Sequence, residues 1–322
     1  MTTITLTRPD LEKLLRIEDC FDAVTDAYKA VSDGRCVLPP VGYLDFASAN
    51  GDCHIKYGHI QGDPTFVIKV ATGFYDNPAQ NLPSSNGIVL VLSAHTGQIE
   101  AILQDEGFLT DLRTGLGAAI ATKALCRPNS KRVGIVGTGI QAGYQIRCLD
   151  NLMSEHALEF SVWGRSNDNM QQLSAKMQAH DIQIQMQPNL QELCENSDII
   201  LTTTPAKTPL VKSSWIKPGT HITASGADTP GKQELETDLV VRASLLALDK
   251  IDQCLDHGEV ATAHALGVLP AENYVELGHV LAGTAPGRQH SSDITIADLT
   301  GLGSQDIAIA QVALGAYRQN RS

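Results

Sequence analysis

The sequence predicts an α/β protein built from two domains. Three observations carry that expectation. The chain has 322 residues, and a domain takes roughly 150. Its rhythm changes near Pro128-Asn129-Ser130, from strand-rich runs to a strand–helix alternation. A glycine-rich loop stands just after that change, between a short apolar strand and a helix.

Taken in order, Ile17 to Gly34 reads as a helix. Phe21, Val24, Tyr28 and Val31 recur at helical spacing, and Gly34 stands at the C-terminal cap position. Pro39-Pro40 breaks the chain. Thr65 to Phe74 is rich in β-branched and aromatic residues and reads as a strand. Gly87 to Leu92 and Gln98 to Leu103 are two more strands, with His95-Thr96-Gly97 as their hairpin turn. The first hundred residues therefore combine a helix with a mostly antiparallel sheet. Thr110 to Cys126 is a helix packed on small residues.

After Pro128 the elements alternate. Arg132–Val136, Leu158–Trp163, Ile182–Met186, Asp198–Thr203 and His221–Ser225 are strands, and Gln141–Leu152 and Ser166–His180 are helices. Such alternation implies a parallel sheet with helices on both faces. Leu245–Leu248 and Ile294–Ala297 are expected as added edge strands. The last helix, about Gln305 to Tyr317, is expected to fold back on the first domain. The domains are thus 1–126, with 304–322 packing back, and 127–303.

Composition narrows the function. Lys and Arg number 24 against 36 Asp and Glu, a net charge of −12. That balance argues against nucleic acid and anionic membrane as partners. The longest apolar run, Gly87 to Leu92, is far short of the roughly 20 residues of a membrane span. The N-terminus lacks the basic, apolar, small-residue order of a signal peptide. Seven scattered cysteines with no C-x-x-C spacing read as reduced thiols of a cytoplasmic protein. His257 and His264 could share a helix face, but no third ligand is evident, so no metal site is expected.

Arg132-Val133-Gly134-Ile135-Val136-Gly137-Thr138-Gly139-Ile140-Gln141-Ala142 is the sharpest signal. Gly137-x-Gly139-x-x-Ala142 between a strand and a helix is the dinucleotide fingerprint in its required context, and it makes 127–303 a Rossmann domain. Gly137 permits the tight turn, Gly139 admits the pyrophosphate, and Ala142 lets the helix pack closely. The helix N-terminus then offers its free N–H groups to the phosphates. The next strand ends at Trp163-Gly164-Arg165-Ser166, where an NAD site usually has an acid for the ribose. Arg165 and Ser166 instead suit a 2′-phosphate, which favours NADP over NAD. Stacking of Arg165 on the adenine would fit either cofactor.

Four polar residues stand in unusual places. Lys69 lies inside an apolar strand and must meet an anion, either an internal carboxylate or a substrate. Lys56 lies in a neighbouring run and either converges on the same pocket or faces solvent. Arg113 can fork onto a substrate carboxylate or pair with Asp111 or Asp105. Asp228 follows a parallel strand, where ligands bind. It either handles a proton or stabilises the turn before Pro230-Gly231.

Five stretches together resemble the ornithine cyclodeaminase/μ-crystallin family: Phe66–Ala71, Leu109–Thr114, Val133–Ala142, Ser225–Leu235 and Asp298–Asp306. The resemblance implies a homodimer whose N-terminal α+β domain binds substrate and dimerises, with a Rossmann domain beside it in the chain. By motif it makes Lys69 and Arg113 the carboxylate-binding pair and Asp228 the acid near the substrate nitrogen. Gly137, Thr138, Gly139, Ile140 and Gln141 match its phosphate loop. Thr300, Gly301 and Gly303 match a stretch near the nicotinamide. One departure stands out. Many members carry an arginine where this chain reads Leu38-Pro39-Pro40-Val41-Gly42-Tyr43. Lys56 and His54 are the candidates to replace its charge, and the change argues against an ornithine pocket.

The expected activity is an NAD(P)H-dependent reduction of a small 2-imino acid, a ketimine or an iminosuccinate-like compound, to an L-amino acid, or the reverse dehydrogenation. Lys69 and Asp228 are its candidate catalytic residues, and Lys56, Lys69 and Arg113 its candidate substrate-binding residues. The alternatives are a cyclodeaminase-type lyase with tightly bound NAD and a non-enzymatic binder. A lyase shows no net cofactor turnover, which discriminates it from the reductase.

Overall fold

A computed structural model of the chain describes residues 3–320, with Pro78 and Ala271 described by backbone alone. The chain divides into two compact units, Met1–Arg113 with Leu302–Ser322, and Thr114–Gly301.

The first unit opens with strand β1 (Ile4–Thr7) and helix α1 (Arg8–Leu14). Helix α2 (Phe21–Ser32) buries Phe21, Val24, Ala27 and Tyr28, and it ends where Gly34 takes φ +69°. The stretch Ile17–Asp19, expected as the helix start, forms a separate 3₁₀ turn. Strands β2 (Cys36–Val37), β3 (Gly42–Phe46), β4 (Gly51–Ile60), β5 (Thr65–Phe74), β6 (Ser85–Ser93) and β7 (Ile99–Gln104) follow. They form one sheet in the order β1-β7-β6-β5-β4-β2, with β3 also on β4. Only the β1–β7 pair is parallel. Gly97 at φ +70° makes the turn of the β6–β7 hairpin.

The division between units falls within helix α3 (Phe108–Leu125). The second unit continues with β8 (Arg132–Val136), α4 (Ile140–Leu152), β9 (Glu159–Trp163), α5 (Asn167–Gln178), β10 (Ile184–Met186) and α6 (Leu190–Asn196). Then come β11 (Ile199–Thr202), β12 (His221–Ala224), α7 (Thr237–Arg242), β13 (Leu245–Leu248), α8 (Ile251–His257), α9 (Ala261–Ala265), β14 (Tyr274–Glu276), α10 (Leu277–Ala282) and β15 (Thr295–Asp298). All eight strands are parallel, in the order β10-β9-β8-β11-β12-β15-β13-β14. The order reverses between β8 and β11, the switch point where such sheets bind ligands.

One expectation is corrected here. Leu245–Leu248 and Ile294–Ala297 are not edges. β15 sits between β12 and β13, and β14 forms the edge. Every residue of β13 and β15 is buried, as strands covered on both faces require.

The final helix α11 (Gly303–Gln319) belongs to the first unit, where it packs against α2, β4 and β5. Ile307, Ala308, Ile309, Ala310, Ala313 and Leu314 are its buried apolar residues.

Candidate active site

In the first unit, strand alternation puts Thr65, Val67 and Lys69 of β5 on the buried face. Lys69 is 3% exposed. Its Nζ donates to Asp306 Oδ1 at 2.8 Å and to Thr110 Oγ1 at 3.2 Å. Arg113, 6% exposed, brings Nε to the same Asp306 oxygen at 3.2 Å. A second guanidinium nitrogen of Arg113 donates to Gln305 Oε1 at 3.0 Å. Gln305 also accepts from Leu302 N–H, the first free amide of α11, and donates to the Tyr28 hydroxyl. One carboxylate oxygen therefore joins β5 and α3 to α11. Of the alternatives for Arg113, neither Asp111 nor Asp105 is its ion-pair partner; Asp306 is.

Lys56 lies directly across from Lys69 in the β4–β5 register, so their side chains share a face. Like charges opposite one another repel and raise the demand for an anion. Burial pulls the Lys69 ammonium down to about 8, helped by Arg113 and Lys56 and opposed by Asp306. Burial pushes the Asp306 carboxyl up, but Lys69, Arg113 and Lys56 together hold it below its ordinary range. Asp306 Oδ2 is buried without a partner among the described residues. The cluster thus sets two buried cations against one carboxylate, an excess of positive charge that a further carboxylate would match.

In the second unit, Gly137 takes φ +125°, and a Cβ there would lie 2.4 Å from Thr203 Oγ1. Its N–H donates to Trp163 O at 2.9 Å, and Thr203 N–H donates to Val136 O at 3.0 Å, so the turn is pinned to both neighbouring strands. Gly139 is exposed with open space where a Cβ would stand. It is also the N-cap of α4 and supplies no side-chain cap, which leaves the amides from Ile140 to Ala142 for an anion. Thr138 is half-buried and packs where Gly164 has no side chain; a Cβ there would lie 2.5 Å from its methyl. Gln141 is half-buried in the first turn of α4. These features fit a dinucleotide pyrophosphate. A groove of about 610 Å³ runs from Thr138, Gly139 and Ile140 out between α4 and α5. It follows the helices rather than the strand ends.

Arg165 is exposed after β9, and Ser166 caps α5, its Oγ accepting from Asn169 N–H at 3.3 Å. Asp228 lies beyond β12, half exposed, with Lys232 Nζ on its Oδ1 at 2.6 Å. Thr300 is buried, and its hydroxyl donates to Asp249 Oδ1 at 2.9 Å. Gly301, at φ +85°, donates its N–H to Asp249 Oδ2 at 2.7 Å. Gly303 is the first residue of α11. Among the described residues no group of three or more His, Cys, Asp or Glu is arranged to hold a metal.

The description of the ornithine cyclodeaminase/mu-crystallin family matches residues 1–319. The chain belongs to this family. An alanine dehydrogenase of Archaeoglobus fulgidus is 33% identical over 313 residues, covering 97% of this chain and 94% of that protein. Among solved structures, an archaeal alanine dehydrogenase dimer with bound NAD superposes with a TM-score of 0.91 at 31% identity, over 100% of this chain and 98% of that one. The Thermococcus litoralis Δ1-pyrroline-2-carboxylate reductase, in complex with NADH and L-proline, gives 0.91 at 27% identity over 99% and 98%.

Sequence reading missed Asp306, Gln305, Thr110 and Tyr28. The clue was Asp306 itself, the one acid of the terminal helix, set in its first turn before the apolar run Ile307–Ala310. Its removal leaves two buried cations unpaired, a loss of about 3–5 kcal/mol. Asp306→Ala should show that loss in urea unfolding, whereas a change below about 1 kcal/mol would mean the pair is a surface-like contact.

Proposed function

We propose that this protein is an NAD(P)H-dependent reductase of a small 2-imino acid, working in either direction between the imine and the L-amino acid. The observation that carries the reading is the Lys69–Asp306–Arg113 cluster, two buried cations sharing one carboxylate oxygen. An amino-acid substrate brings a second carboxylate, which the excess positive charge of the pair would bind. Its relatives support the chemistry, because an alanine dehydrogenase and a pyrroline-2-carboxylate reductase match over nearly the whole chain.

On this reading Lys69 and Arg113 bind the substrate carboxylate, and Lys56 adds charge on the same face. Asp306 and Gln305 hold the two cations in place. Asp228, or a water it orients, exchanges the proton at the substrate nitrogen, for which its ion pair with Lys232 must open. Gly137 to Gln141 bind the pyrophosphate, with Thr300, Gly301 and Gly303 on the nicotinamide side. When bound, the reduced cofactor supplies the hydride. Arg165 and the N-terminus of α5 suit a 2′-phosphate, so we favour NADP(H), although the solved relatives named above hold NAD or NADH.

We also propose a homodimer. Leu44, Phe46 and Tyr57 alternate to one face of β3 and β4 and are exposed there, apolar side chains that a second copy of the chain would cover. No described helix is long and apolar enough to cross a membrane, and all seven cysteines are free thiols, which fits a cytoplasmic location.

The deciding experiment follows NADH and NADPH oxidation with cyclic imines and with 2-oxo acids plus ammonia, beside L-ornithine with an ammonia readout. Steady oxidation with an imine is expected. Arg113→Ala should raise KM about 10–100-fold, the loss of a charged hydrogen bond, while Asp228→Asn should lower kcat. Ammonia from ornithine without net cofactor turnover would replace the reading with a lyase.

The sign of a pH effect follows from Lys69. Its ammonium is held at about 8, so the cation is present below that pH and lost above it. Affinity for a carboxylate inhibitor that does not itself titrate should fall as pH rises through about 8, and Lys69→Arg should remove the fall. A flat profile from pH 6.5 to 9.5 in the unaltered protein would take Lys69 out of the carboxylate site.

Light scattering should give twice the chain mass, and Leu44→Asp should shift the protein toward monomer. A monomer at micromolar concentration would dismiss the dimer.

A further inference from the structure

Glu234 is 0% exposed, yet it carries four hydrogen bonds and no cation. Its Oε2 accepts from Thr202 Oγ1 at 2.7 Å and from Gly226 N–H at 2.9 Å. Its Oε1 accepts from Thr204 N–H at 2.6 Å and Thr204 Oγ1 at 2.7 Å. Thr202 ends β11, and Thr203-Thr204 begin the loop after it. Gly226 lies in the loop after β12, two residues before Asp228. One carboxylate therefore ties together the carboxyl ends of two adjacent central strands, next to the switch point where ligands bind.

The fit is close. A Cβ on Gly226 would lie 2.1 Å from Thr204 O and 2.4 Å from Glu234 Oε2, so only glycine lets the second loop press onto the carboxylate. Thr203, in the first clasped loop, is the residue that Gly137 of the phosphate turn touches. Ser225, beside Gly226, is held in turn by Gln145 of α4 at 2.7 Å and donates to Thr202 O at 3.1 Å. Glu234 is itself anchored, since Glu259 accepts from the Glu234 and Leu235 amides at 2.8 and 2.9 Å.

We propose that Glu234 is a positioning residue for the dinucleotide site: its carboxylate clasps the loops after β11 and β12, setting the wall beside the phosphate turn and the exit of the segment that carries Asp228. It touches no substrate and acts through Thr204 and Gly226. The inference rests on the cofactor site of the proposed reductase.

Glu234→Gln tests it. The amide nitrogen donates and cannot accept, so one of the two loops loses its acceptor and meets a donor instead. Asp198→Asn is the matched control. Asp198 stands at the other end of β11, where its carboxylate takes the Lys131 and Arg132 amides and pairs with Arg127. The readout is the NADH and NADPH dissociation constant by fluorescence titration, well below each variant's melting temperature. For Glu234→Gln we expect at least a tenfold weaker binding of the preferred cofactor. For Asp198→Asn we expect a lower Tm with binding within twofold of the unaltered protein. If Glu234→Gln does not fold, Thr204→Val removes one of the four bonds and should weaken binding at least threefold. Unchanged binding in the variants of the clasp, or equal weakening in Asp198→Asn, overturns the proposal. If the unaltered protein binds the cofactor but reduces no imine, the reductase reading fails while the clasp is still measured. If it binds neither cofactor, both are overturned.

Discussion

The first unit depends on a single shared oxygen. Lys69 stands in a strand whose neighbours on the buried face are Thr65 and Val67. An unpaired ammonium there would cost far more than the strand gains by burying its apolar residues. Asp306 answers that cost, and it comes from the opposite end of the chain. The first turn of α11 is thereby fixed against β5, and with it Gln305, which orients Arg113 and reaches Tyr28 on α2. The apolar face of α11 would bury itself in several registers, since much of it is Ala and Ile. The ion pair selects one of them. This is why the terminal segment belongs to the first unit although the whole second unit intervenes in sequence.

The second unit solves the burial of carboxylates differently. Glu234, Glu259, Asp249 and Asp298 are all at most 1% exposed, and among the described residues none is ion-paired with Lys or Arg. Backbone amides and hydroxyls take their place. Asp298 holds the Val260 amide, Glu259 the amides of Glu234 and Leu235, and Asp249 the Gly301 amide. Burial and the nearby Asp249 raise the Asp298 carboxyl to about 7. Each carboxylate bridges segments that the sheet itself leaves unconnected.

Much of this was legible in the sequence, and the physical reason differs by element. The glycine loop was readable because Gly137 answers a local constraint, a positive φ with no room for a Cβ, that other residues do not meet. The β5 and β8 boundaries were readable because short apolar runs end at turn residues. Lys69 was readable as an anomaly, a charge in an apolar run. Its partner was not, because a pairing between residues 69 and 306 leaves no periodic trace in either segment. The same holds for Glu234, which reads as one more acid after Gly231-Lys232-Gln233. The order of β13 and β15 in the sheet was missed because strand adjacency is a property of crossovers and not of the strands.

The two units thus meet anions by different means, and the difference has a chemical logic under the proposed reading. Backbone amides at a helix N-terminus do not titrate. A cofactor held by them keeps its phosphate contacts across the working pH range. A small substrate offers few atoms to grip, so its carboxylate must meet full charges, and full charges in a buried place are sensitive to their surroundings. Asp306 keeps Lys69 ionised at neutral pH against the pull of burial, Arg113 and Lys56. It does so with one oxygen shared between Lys69 and Arg113, which leaves the cluster with a residual positive charge. A second internal carboxylate on the pair would fill that role permanently and close the site to substrate. One shared oxygen is enough to let the cations fold into the core and too little to satisfy them, and that remainder is what a substrate carboxylate can use.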